Sequence, residues 1–169
     1  MTDTKLTVKD RDYLERAIRL SSVALEDDGK TPFGSVVVLD GEVVGEGTAS
    51  VVEQHDPTAH AEVVALRRTG ARLGRHLFDG ATLYSSTEPC PMCLTASYWA
   101  HIARVVFAAT SHDAAANGFE DLRFYRELAS SPRQRELTEE AVGAELRERA
   151  AGVLREWARR YPGPVEPKY

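Results

Sequence analysis

Apart from Cys90 and Cys93 the sequence contains no cysteine. That excludes a disulfide framework and leaves two thiols at metal-ligand spacing, as expected of a reducing, cytoplasmic setting. No uninterrupted apolar run reaches membrane-spanning length, so no membrane partner is expected. The opening residues Met1-Thr2-Asp3-Thr4-Lys5 are polar and lack the apolar core of a secretory signal. A basic stripe is missing too: the net charge is −5, and arginines alternate with glutamates, as in Arg147-Glu148-Arg149 and Arg155-Glu156. Such alternation marks a solvated helix face rather than a phosphate-tracking surface, and argues against a nucleic-acid binder. There is no internal repeat and no low-complexity linker. At 169 residues the chain is expected to be one domain able to bury a core without staples. The expected bounds are 1–161, followed by a tail at 162–169 in which Pro162, Pro164 and Pro167 forbid a helix.

What the chain does have is His60-Ala61-Glu62 followed by Pro89-Cys90-Pro91-Met92-Cys93. The two stretches supply one imidazole, two thiols and one free carboxylate. Zinc takes nitrogen and sulfur ligands tetrahedrally, and three protein ligands leave a fourth position for water. His60, Cys90 and Cys93 are the candidate ligands, one zinc per chain, and Glu62 is the candidate acid/base. The second stretch opens on Glu88-Pro89, and proline suits a first helical position. The cysteines are then expected at a helix N-terminus, whose partial positive charge favours thiolate.

A C-x-x-C pair can also be a redox dithiol, but that reading wants it after the first strand of a thioredoxin-like unit. A closed structural zinc needs a fourth protein ligand, which His55 or Asp56 would have to supply. One geometric objection applies to the catalytic reading: residues two apart, such as His60 and Glu62, point to opposite sides of a regular helix. It weakens at a first turn, where the metal sits off the helix end.

Along the chain, Thr7 and Asp10 resemble a capping box, and Leu14, Ala17, Ile18, Ser21, Ala24 and Leu25 recur at helical spacing, predicting a helix near 8–28. Asp28 to Pro32 breaks it. Strands are expected at Val36–Leu39, from Val43, at Ala81–Ser85 and at Val105–Ala108, with a hairpin turn at Asp40-Gly41. The His60 helix is expected to end near Arg68, before Thr69-Gly70, and the Cys90 helix to run through Tyr98 and Trp99. Both motif helices follow strands, which places the two half-sites at one end of an α/β sheet. Leu146, Ala150, Val153, Leu154, Trp157 and Tyr161 form a last amphipathic stripe, read as core or interface packing.

The pairing of H-x-E with P-C-x-x-C matches the known signature of zinc nucleobase deaminases. Together with Pro32-Phe33-Gly34, Asp56-Pro57-Thr58-Ala59, Tyr98-Trp99-Ala100 and Gly118-Phe119-Glu120-Asp121, it resembles bacterial guanine deaminases of the cytidine deaminase superfamily. The resemblance runs from about Pro32 to Tyr125. It implies a three-layer α/β fold with a mixed sheet of about five strands between helices. It also implies hydrolytic deamination of guanine to xanthine, with zinc on His60, Cys90 and Cys93 and proton transfer by Glu62.

By the same resemblance Asp121 would help the leaving amine, and Phe33, Ala49, Ala61, Trp99 and Tyr169 would contact the substrate. The partners implied are a small nucleobase and a second copy of the chain, with the C-terminal segment crossing to the partner and Tyr169 closing its site. Without the resemblance, Phe33 and Trp99 read as packing, Asp121 as a cap on a helix at Leu122–Leu128, and the tail as a frayed terminus. The chain departs from the family at Ala49, where an Asn amide usually pairs with the substrate. That departure leaves the deamination chemistry intact and opens the choice of ring. Isocytosine, cytosine or an amino-triazine such as ammeline is the alternative to guanine. A tRNA adenosine ranks third, and a structural zinc domain is the non-enzyme alternative.

Overall fold

The structure, a computed structural model, describes residues 6–141 and 143–161. Packing divides the chain into two compact units, residues 1–129 and 130–169. The expected tail at 162–169, Tyr169 included, lies outside the described residues.

Helix α1 (Val8–Ser22) begins at the expected capping box: the Asp10 N–H donates to the Thr7 hydroxyl at 3.1 Å and the Thr7 N–H to the Asp10 carboxylate at 2.9 Å. It stops at Ser22 rather than near residue 28. The hydroxyls of Ser21 and Ser22 turn back onto the carbonyls of Ile18 and Arg19, and a single 3₁₀ turn at Val23–Leu25 follows. Strands β1 (Thr31–Leu39) and β2 (Glu42–Ala49) form the expected hairpin, with Asp40 and Gly41 both at positive φ, 52° and 81°. Then come α2 (Val51–Gln54), α3 (Ala61–Leu73), β3 (Thr82–Thr87), α4 (Pro91–Trp99), β4 (Arg104–Ala109), α5 (Ser111–Ala116) and α6 (Asp121–Ala129). In the second unit, α7 (Ala144–Arg160) carries the late amphipathic stripe, with Trp157 packed on Tyr161 at 5.1 Å between ring centres.

The sheet order is β2-β1-β3-β4, with β1 antiparallel to β2 and β3, and β3 parallel to β4. The expected mixed sheet is present with four strands, not about five. Beyond β4 the described residues form helices and loops. Helix α3 also outlasts its expected end at Arg68. The buried Thr69 hydroxyl bonds the Ala65 carbonyl at 2.9 Å, Gly70 stays helical, and the helix closes on Gly74 at φ 64°.

Alternation along β1 builds the layers. Val36 and Val38 join Leu14, Ala17, Tyr84 and Val106 beneath α1, while Val37 joins Val44, Ala65, Leu66 and Leu83 beneath α3. Fully burying side chains of this size stabilises by roughly 1.5–3 kcal/mol each. Two glycines allow the layers to close. A Cβ on Gly34 would lie 2.2 Å from the Ala17 carbonyl oxygen, and one on Gly47 would lie 2.1 Å from that of Ala61. Because β2 and β3 run in the same direction on either side of β1, their C-terminal ends share one end of the sheet with the start of β1 and the end of β4. Ligands of open α/β sheets bind beyond strand C-termini.

At the other end, buried Asp10 takes the Arg104 guanidinium at 2.7 Å and the Tyr84 hydroxyl at 2.7 Å, tying α1 to β3 and β4. Arg104, assisted by Tyr84 and Thr7, holds the Asp10 carboxyl below the ordinary carboxylate range despite its burial. A depressed carboxyl pKa contributes stability that is complete above about pH 4 and is lost as pH falls through the folded value. Asp10→Asn should therefore cost about 2 kcal/mol at neutral pH and flatten the loss of stability on acidification in urea titrations. An acid limb as steep as that of the unaltered chain would show that Asp10 is not its source.

Candidate metal centre and active-site cavity

Two helix starts converge at the site. His60 precedes α3 in extended conformation (φ −66°, ψ 155°), and Cys90 precedes α4 in the same way (φ −64°, ψ 167°). Because His60 lies outside the helix, the objection that residues two apart diverge lapses: Glu62 is the second helical residue and His60 is not helical at all. Pro91, not Pro89, takes the first helical position. Cys93 then falls in the first turn of α4, whose end favours negative charge.

The Asp56-Pro57-Thr58 loop presents His60. The Asp56 carboxylate accepts the Thr58 N–H at 2.8 Å and Arg67 at 3.1 Å, and the His60 N–H donates to the Thr58 carbonyl at 2.8 Å. Cys90 Sγ lies 3.6 Å from His60 Nδ1 and 3.6 Å from Cys93 Sγ. The donor atoms of the three residues fall within 4.8 Å of one another, and among the described residues no other such group could hold a metal. One nitrogen and two sulfurs at that spacing fit zinc. A closed four-ligand site does not form among these residues, since Asp56 is engaged with Thr58 and Arg67, and His55 stands outside the cluster.

Electrostatics follow from proximity. The Cys93 sulfur 3.6 Å away, with His60, brings the Cys90 thiol down to about 4. The same contact, with burial, pushes Cys93 up. The Cys90 sulfur in turn raises His60. Glu62 is 4% exposed and accepts from the Ser85 hydroxyl at 2.7 Å. Burial pushes its carboxyl up, with Ser85 pulling the other way. Burial also raises Asp121, and the nearby Cys90 sulfur adds to the rise. Asp121 opens α6 and makes no side-chain hydrogen bond among the described residues.

A cavity of about 210 Å³ brings together Phe33, Ala49, His60, Glu62, Cys90 and Asp121. Cys93 is wholly buried and not on its wall. Ala61 is wholly buried as well, packed on Gly47, and Trp99 is 55% exposed; neither lines the cavity. Sequence reasoning missed Thr31, Val51, Glu88, Phe119, Glu120 and Phe124 on the wall, as well as Ser85 behind Glu62. Glu88 had a signal, standing two residues before Cys90, and the Ser111 N–H holds it at 2.8 Å. Phe119 had one in the Gly-Phe-Glu-Asp run; it meets Phe33 edge-on at 4.7 Å and 80°.

The cytidine and deoxycytidylate deaminase zinc-binding region matches residues 7–109 of this chain. Guanine deaminase of Bacillus subtilis (strain 168) is 43% identical over 123 residues, covering 73% of this chain and 79% of that protein. An X-ray structure of guanine deaminase from Bacillus subtilis superposes with a TM-score of 0.81 at 38% identity, over 86% of this chain and 93% of the other. A tRNA-specific adenosine deaminase of Buchnera aphidicola subsp. Schizaphis graminum is 35% identical over 111 residues, 66% of this chain and 73% of the relative. A crystal structure of a complex with 8-azaguanine aligns at a TM-score of 0.62 and 30% identity, over 68% and 65% of the two chains.

Cys93→Ala should abolish stoichiometric zinc in elemental analysis after dialysis, whereas Asp121→Asn should leave about one zinc per chain. Loss of metal from the Asp121 variant would move that carboxylate into the ligand set.

Proposed function

The chain belongs to the cytidine and deoxycytidylate deaminase family, and on that footing we propose that it is a zinc-dependent hydrolase of free nucleobases, with guanine to xanthine plus ammonia as the leading reaction. The observation that carries this is the convergence of His60, Cys90 and Cys93 within 4.8 Å beside buried Glu62. These three residues would hold the metal, one per chain. When bound there, zinc supplies a water acidified toward a pKa of about 7.

Glu62 would take a proton from the water that adds to the amine-bearing ring carbon and would hand it to the adjacent ring nitrogen. Ser85 fixes one carboxylate oxygen and so the direction of transfer. The second proton, from the hydroxyl now on that carbon, passes to the amine nitrogen, a transfer assigned to Asp121; the carbon–nitrogen bond breaks, ammonia leaves and the ring keeps a carbonyl. One water is consumed and one ammonia released. Phe33 and Phe119 give the ring an apolar wall.

The charge on that wall supports a free base over a nucleotide. Glu62, Glu88, Glu120 and Asp121 line the cavity, and among the described residues neither lysine nor arginine does. A phosphate would meet carboxylates in a low-dielectric cleft, which also ranks a tRNA substrate below a nucleobase. The volume lies under the roughly 300–1,000 Å³ of drug-sized sites and suits a small heterocycle. Ala49 on the wall favours a second reading within the same chemistry, a smaller amino-heterocycle such as isocytosine, cytosine or ammeline.

Among the described residues no helix is long and apolar enough to cross a membrane. Thiol ligands favour a reducing compartment, so a cytoplasmic location belongs to this proposal. So do a catalytic domain at residues 1–161 and a homodimer in which the arm at 162–169 carries Tyr169 to the partner's site. An extended proline-rich arm loses little entropy on docking.

Glu62→Gln should cut ammonia release at least about 100-fold and leave zinc at one per chain; zinc lost with activity would make Glu62 a support for the metal instead. For the arm, a chain lacking residues 163–169 mixed with full-length Glu62→Gln should regain activity above either alone. Exchange of subunits without such a gain would remove Tyr169 from the site.

A further inference from the structure

Resting on the deaminase reading above, we propose that the Thr31 hydroxyl holds the polar edge of the substrate ring and lets the site accept rings whose edges differ in polarity. Thr31 and Ala49 are direct partners across β1 and β2, and both line the cavity of His60 and Glu62. Directly opposed residues of an antiparallel pair stand on one face with Cβ atoms about 5 Å apart. The hydroxyl therefore commands the same stretch of wall as the Ala49 methyl. The ladder skips from Thr31/Ala49 to Gly34/Thr48, so the irregularity falls on Pro32 and Phe33. Irregularities of this kind re-aim side chains beside active sites, and Thr31 and Phe33 both line this one.

Thr31 is also unoccupied. Glu62 is held by Ser85, Glu88 by the Ser111 N–H, Glu120 by Arg123, and His60 lies against Cys90. Among the described residues the Thr31 hydroxyl has no hydrogen-bond partner. Apart from the metal-ligand candidates it is the uncharged polar side chain of the wall, while Glu62 is assigned to the proton and Asp121 to the leaving amine.

The identity of the group matters. A side-chain amide offers a fixed donor beside a fixed acceptor and reads polarity as well as position. A hydroxyl rotates, with one proton to give and two lone pairs to receive. The Ala49 methyl beside it leaves nothing to satisfy. A wall of this composition requires a polar edge but accepts either an N–H or a bare ring nitrogen there. The substrate class that follows is neutral amino-heterocycles, one ring or two, discriminated weakly by edge polarity.

The test uses the full-length, zinc-loaded chain with Thr31→Val, which keeps the shape without the hydroxyl, and Thr31→Ser, which keeps the hydroxyl. Calorimetric binding of 8-azaguanine is measured beside KM and kcat for guanine, isocytosine and ammeline. Thr31→Val should weaken 8-azaguanine about tenfold and raise KM similarly on every ring, with kcat kept within about twofold. Thr31→Ser should stay within about threefold of the unaltered chain, and zinc should remain one per chain in both. Unchanged binding by Thr31→Val overturns the proposal, as does an equal loss in Thr31→Ser, which would mean packing. If the unaltered chain binds 8-azaguanine but releases no ammonia, the deaminase reading falls while Thr31 is judged on binding alone. If it does neither, both fall.

Discussion

Two helix N-termini have to meet within reach of one metal ion, and the strand order β2-β1-β3-β4 is what makes that possible. With β1 antiparallel to both neighbours, β2 and β3 deliver the chain to the same end of the sheet. From β2 the chain reaches α3 through α2 and the Asp56 loop, and from β3 it reaches α4 through Glu88 and Pro89; each helix is entered through an extended residue, His60 or Cys90. The extended residue and the first turn behind it thus face the same space. Gly47 completes the arrangement, because α3 can start so close to β2 only where no Cβ intervenes. The metal donors, Glu62 and the cavity wall all inherit their positions from that geometry.

The site separates its carboxylates by environment. Glu62 is sealed beneath the surface and oriented by Ser85, so its protonation responds to burial and to whatever charge the metal brings. Asp121 stands on the wall without a side-chain hydrogen bond among the described residues. Glu88 and Glu120 line the wall as well, tied to a backbone N–H and to Arg123. The carboxylates proposed for the proton and for the leaving amine thus stand on different helices, α3 and α6.

Much of this was legible in the sequence. The zinc signature, the capping box at Thr7, the Asp40-Gly41 hairpin and the alternation of β1 rest on local chemistry, and local chemistry is written in short runs. The errors arose where a local signal met a tertiary one. Pro32 reads as a breaker, yet β1 extends through it to Thr31, because an irregular pairing tolerates a residue that cannot donate. Thr69 and Gly70 read as a helix end, yet buried packing carries α3 to Leu73. Pro89 and Pro91 compete for one helical position, and only the folded chain shows which holds it. Ser85 was invisible because nothing in its neighbourhood announces that Glu62 would be buried against it.

The Asp10 clamp with Arg104 and Tyr84 lies at the end of the sheet away from the cavity. Fold maintenance and chemistry are therefore written into separate portions of the same strands. Positions 31, 33, 49 and 119 shape the cavity wall and can change without loosening what keeps α1 on the sheet. A lineage built on this scaffold can try new substrates one wall residue at a time, while its folded state remains under the guard of residues that never meet a ligand.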